Sequence, residues 1–185
     1  MTRFPAIAPE NMTEAQKAVA AEIAAGPRGE VRGPFVALLH NPVLAGRLQA
    51  LGEYLRFNTR LDKQLTEIAV LVTARHWTCQ YEWFAHERIA RAAELKPAII
   101  EAIAAGRRPE GMSADEGLVH DVCRQALEKG APEDALYDAA VARFGRDGIL
   151  DLLALPGYYS LLAMVLNTAR PALPNGVADP LKPLA

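Results

Sequence analysis

Apolar residues recur along most of the chain at the three-to-four spacing of amphipathic helices, and no segment alternates as a half-buried strand would. Thr13 and Gln16 frame a capping box before a helix that stops at Gly26. The stretch GPRGEVRGP, Gly26 to Pro34, holds three Gly, two Pro and two Arg, and reads as a loop. A short apolar turn follows from Phe35 to His40. Pro42 then opens a helix carrying Val43, Leu44, Leu48, Leu51 and Leu55 on one stripe. Asp62 caps a long helix through Leu65, Ile68, Ala69, Leu71, Val72 and His76, and another runs from about Gln80 to Glu94. Pro97 opens the next, closed by Gly106. Ser113 and Glu116 form a second capping box. Pro132 starts a helix ending at Gly145, and a last helix runs from about Asp147 to Ala169 with a bend expected at Pro156. Helix periodicity alone therefore predicts an all-α fold. It places one domain over residues 1–170 and an extended or disordered Pro-rich tail over 171–185.

Composition narrows the function classes. The chain has 185 residues, 51% of them hydrophobic, which rules out disorder along its whole length. Its 20 Lys+Arg and 22 Asp+Glu leave a net charge of -2, unlike the basic footprint of a nucleic-acid binder. Leu152 to Ala169 carries no charge and approaches the length of a membrane span. Pro156-Gly157 interrupts it, however, and Tyr158, Tyr159, Ser160 and Asn167 need polar partners, so it reads as a core or interface helix. No membrane partner is expected. The N-terminus lacks the apolar run of a secretory signal, and Cys79 and Cys123 stand far apart, so a reducing, cytoplasmic location is expected.

Candidate chemistry concentrates in TEIAVLVTARHWTCQYEWFAHERIA, Thr66 to Ala90. Glu82 and His86 are four apart on one helix, share a face and can touch. Cys79 sits one turn earlier, at a helix N-terminus that favours a thiolate or carboxylate. Trp83 faces elsewhere and is expected to pack. Glu67 lies on the preceding helix among apolar neighbours, where a carboxylate needs a hydrogen-bonding partner. The group reads either as a general acid–base couple or as an ordinary Glu–His pair on a solvated helix. Spacing does not choose between them.

The pattern of Glu67, Cys79, Glu82 and His86, with the segment QYEWFAH, resembles the carboxymuconolactone decarboxylase family of the AhpD-like superfamily. AhpD-type members carry a Glu, then CxxC, then a His four residues after the second Cys. Here Cys79 matches the first Cys, and Glu82 stands in place of the second. With Glu82 there, the dithiol cycle of the hydroperoxidase branch cannot run. The loop GPRGEVRGPFVALLHNP and the segment GYYSLLAMVLN extend the resemblance over roughly residues 5 to 170. It implies an AhpD-like helical protomer in a homotrimer or hexamer, with the site near a subunit interface. It also implies a cofactor-free lyase of aromatic catabolism, acting on a small carboxylate or lactone. His86, Glu82 and Glu67 would be its catalytic residues. The alternatives are a thiol peroxidase using Cys79, or an oligomer that binds a ligand without turning it over.

Arg75, Arg32 and Arg28 are candidates to hold a substrate carboxylate, since a guanidinium fork matches that geometry. Tyr81 and His76 are further substrate-binding candidates, and Tyr158 and Tyr159 are expected mainly to pack. No metal site is expected, because His76, Glu82 and His86 lack the usual ligand spacing. No nucleotide motif follows a strand. Cys123 reads as core, His40 as a capping or packing residue, and His120 as a solvated surface residue.

Overall fold

A computed structural model describes residues 2–174 and 177–183. Its regular structure is helical: α1 Glu14–Ala25, α2 Pro34–Leu38, α3 Pro42–Phe57, α4 Lys63–His76, α5 Gln80–Ala92, α6 Pro97–Ala104, α7 Ala114–Lys129 and α8 Asp134–Ala169, with a short 3-10 turn at Pro9–Asn11. The starts of three helices follow directly from their caps. Thr13 and Ser113 each complete a capping box, with Gln16 and Glu116, and the Asp62 carboxylate accepts from Leu65 N.

α4 is the axis of the protein. Every residue from Leu65 to Arg75 is buried, so it is enclosed on all sides, by α5, α6, α7 and α8. A helix in that position cannot turn a polar face to water, and each of its polar side chains must find a partner inside. The turn from α4 to α5 is tight. Thr78 adopts a positive φ of 46°, and Cys79 N donates to Ala74 O at 2.9 Å. α8 holds this turn in place: Trp77 Nε1 donates to Ser160 Oγ, and Asn167 Nδ2 donates to Trp77 O.

α8 departs from the expected bend at Pro156. Backbone dihedrals stay helical through Pro156, and the break falls at Gly145, with φ 78° and ψ 174°. A side chain would be strained at that φ, and only glycine adopts it freely. α8 is long and apolar enough to cross a membrane, yet just over half of its most apolar stretch is buried within the protein. The stripe on α3 is only half used. Leu48 and Leu55 enter the core, whereas Val43, Leu44 and Leu51 remain exposed. His120, expected at the surface, is buried on α7, with Nδ1 2.8 Å from Asp121 Oδ1. Asp121, fixed by Arg108, gives the ring the partner it needs to leave water.

The tail runs back over the α4–α5 turn. Leu181 is buried and exchanges two hydrogen bonds with the Gln80 side chain, and Lys182 O accepts from Arg75 NH1. The expected extended arm is therefore docked along 181–182, while residues 175, 176, 184 and 185 lie outside the described residues.

Gly52 on α3 permits a close approach that the cavity described below depends on. A Cβ there would collide with the Tyr158 hydroxyl and the Arg28 guanidinium. Gly52→Ala is expected to cost about 1–3 kcal/mol through overpacking. Gly157→Ala, in a helical position with no atom within 4 Å, is expected to gain about 0.5–1 kcal/mol. Thermal unfolding of the two variants should shift in opposite directions.

Candidate functional site

α4 carries Glu67 to the centre of the protein, and α5 lays His86 against it. Glu67 is fully buried, and its Oε2 lies 2.7 Å from His86 Nδ1. Lys63, one turn earlier on α4, reaches within 2.8 Å of Oε1. Burial alone would raise the Glu67 pKa. His86 and Lys63 outweigh it and hold the carboxyl below the ordinary glutamate value, so it is a carboxylate. A carboxylate only accepts, so Nδ1 donates. In the neutral ring, Nε2 is then the unprotonated nitrogen. The Tyr159 ring meets His86 edge-on at 5.1 Å and completes the packing around the imidazole.

Glu82 is the second carboxyl, and its environment is the opposite. It is 3% exposed, and its Oε2 has no hydrogen-bond partner among the described residues. Burial pushes its pKa well above the ordinary value. It lines a cavity of about 650 Å³ together with His86 and Tyr159. Glu82 and His86 share a face of α5, as their spacing predicts, but they do not pair. Glu67 takes the imidazole Nδ1, and no hydrogen bond joins Glu82 to His86 among the described residues.

The rim of the cavity is mostly cationic, with Glu30 its one carboxylate among the described residues, 3.3 Å from Arg32. Arg28 and Arg32 come from the glycine-rich loop, Arg56 from the end of α3, and Arg88 from α5. Arg28 is braced by Gln49, by Tyr158 Oη at 3.3 Å and by the Phe35 ring. Arg56 Nε is buried without a partner. Leu162, Leu166, Ile89 and Phe84 supply the apolar walls, and Tyr81 closes the side next to Gly33.

Of the residues singled out from sequence, Glu67, Glu82, His86, Arg32 and Tyr81 come together at or beside this cavity. Arg75 and His76 do not. They line a separate cavity against α7. Cys79 is fully buried against Ala163 and Leu166, and burial followed by the nearby Glu82 charge pushes its thiol up to about 12. The helix N-terminus does not make it acidic, because desolvation of the thiolate is the larger effect. Cys123 is buried in the main core, apart from Cys79. Among the described residues no group of three His, Cys, Asp or Glu side chains is gathered to hold a metal ion. Arg56, Arg88 and Lys63 were not singled out from sequence. Only Lys63 had a local signal, its spacing of four from Glu67.

The Glu82 environment generates a testable sign. Its folded pKa is raised, so the folded state binds more protons than the unfolded state once pH exceeds about 4.3. Wild-type stability should therefore fall relative to Glu82→Gln as pH rises, by at most about 1.4 kcal/mol per pH unit, until the folded-state pKa is passed. Melting temperatures of the two proteins from pH 4 to pH 8 should diverge, with Glu82→Gln the more stable at the upper end.

No family model matches the chain, and no curated protein matches it. Among solved structures it is similar to one from Ralstonia eutropha JMP134, described as an alkylhydroperoxidase AhpD core and an uncharacterized peroxidase-related protein. The similarity has a TM-score of 0.75 at 20% identity and covers 92% of each chain. The chain has the AhpD-like all-α fold.

Proposed function

We propose that this protein is a cofactor-free acid–base enzyme, resembling carboxymuconolactone decarboxylase, that acts on a small metabolite bearing a carboxylate or lactone. The observation that carries the reading is the pair of buried carboxyls in opposite environments beside one imidazole: Glu67 as a carboxylate on His86 Nδ1, and Glu82 driven toward its neutral form. Two titratable groups pushed apart in this way suit an assignment of acid and base.

Loss of CO₂ breaks a carbon–carbon bond and leaves its electron pair on the substrate carbon. A conjugated lactone carbonyl holds that pair as an enolate. A proton must then reach the carbon, and a neutral Glu82 can supply it. His86, its ring fixed by Glu67, returns a proton from water to Glu82. The Arg28, Arg32, Arg56 and Arg88 rim suits a second carboxylate that stays on the substrate. The apolar walls favour release of charge from the departing one. We also propose a homo-oligomer. The exposed Val43, Leu44, Leu51 and Phe57 of α3 support it.

One observation favours a thiol peroxidase instead, the description of the similar structure. The buried, weakly acidic Cys79 and its separation from Cys123 support the acid–base reading over it.

The test is turnover of 4-carboxymuconolactone by the purified protein, followed by loss of substrate absorbance. His86→Asn keeps an amide donor near Glu67 but removes the titratable ring, and should lower kcat by about 10²–10⁴. Cys79→Ser should retain turnover. Activity in wild type should fall at high pH as Glu82 ionises. Turnover indifferent to His86 would sink the site. Consumption of peroxide with a dithiol that depends on Cys79, without lactone turnover, would establish the peroxidase.

A further inference from the structure

Arg75 is 3% exposed on α4, and its Nε and NH2 are buried without a hydrogen-bond partner among the described residues. Its NH1 is taken by Lys182 O, a neutral carbonyl, and no anion pairs with it among the described residues. An uncompensated buried guanidinium is expensive, and such a group normally has a counter-ion. Arg75 lines a cavity of about 120 Å³ between the end of α4, the loop after α6, and α7. That is room for a few water-sized groups. Around it stand Arg107, Arg124, His76 and His120. His120 is itself 3% exposed, and its Nδ1 is held by Asp121. Among the described residues Glu128 is the one carboxylate on the lining, and it lies 3.6 Å from Arg124.

We propose that this cavity binds a small oxyanion, a phosphate or a carboxylate, with Arg75 as its buried anchor and Arg124 as a flanking donor. The site is separate from the Glu67–His86 cavity, and the inference does not rest on the activity proposed above. The planar guanidinium presents two free N–H edges, Nε and NH2, side by side. That is the fork that takes two oxygens of one oxyanion. Water alone would leave the charge uncompensated.

The experiment is calorimetric titration of the full-length protein with inorganic phosphate, and separately with acetate, at constant ionic strength held with NaCl. Saturable binding below 10 mM is expected for at least one of them. Arg124→Ala, at an exposed position, should weaken it at least tenfold, and Arg75→Lys should do the same. Arg47→Ala, an exposed arginine outside both cavities, should leave it unchanged. A response to phosphate alone assigns a phosphoryl ligand, and a response to acetate assigns a carboxylate. Circular dichroism melting checks that Arg75→Lys still folds. The proposal is overturned if neither anion binds, or if binding survives in both Arg124→Ala and Arg75→Lys.

Discussion

The buried Glu67 carboxylate is the constraint around which the site is organised. α4 is enclosed from Leu65 to Arg75, so a charge there must be met inside the protein. Two elements do this. Lys63 approaches from the same helix, one turn earlier, and His86 approaches from α5. The second contact fixes how α5 lies on α4, and with it where Glu82 faces. The turn at Trp77 to Cys79, pinned to α8 by Ser160 and Asn167, sets the same geometry from the other side. Loss of one partner of such a pair leaves the other charged and buried, at about 3–5 kcal/mol. Site and fold are therefore hard to separate at Glu67, and easier at Glu82.

The same burial acts on the two carboxyls with opposite results. At Glu67 the His86 hydrogen bond and the Lys63 ammonium overcome it. At Glu82 it is the force that dominates, and the neutral acid is favoured. Cys79, one turn from Glu82, responds to burial as Glu82 does, and its thiolate is disfavoured. A chain with CxxC at these positions would put a thiol where Glu82 stands. This chain puts a carboxylic acid there, beside an imidazole with a free Nε2 and below an arginine rim. The proton transfer to a bound anion proposed above uses that set.

Local signals carried much of this. Thr13, Asp62, Ser113 and Gly145 mark their helix boundaries because caps and positive-φ positions are decided by a few neighbouring residues. Glu67 needed a buried partner, and its apolar neighbours said so. The identity of that partner was legible only through the resemblance, because nineteen residues and a turn separate it from His86. The arginine rim was half legible. Arg28 and Arg32 stand in a conspicuous loop, whereas Arg56 and Arg88 reach the cavity through packing of α3 and α5. Arg75 and His76, named with the same group from sequence, line a different cavity from Glu82 and His86. An α-helix turns about 100° per residue. His76 is thus about half a turn around from Glu67 and roughly 13 Å along the axis. Its proximity in sequence to Cys79 concealed that.

The most direct test of the central claim is the protonation state of Glu82 in the folded protein at pH 7. Infrared spectroscopy of wild type and Glu82→Gln in deuterated buffer resolves a protonated carboxyl from carboxylates. The account predicts a protonated-carboxyl band in wild type at neutral pH that is absent from Glu82→Gln and disappears as pH is raised. No such band at pH 7, with Glu82 ionised like a surface glutamate, would contradict it.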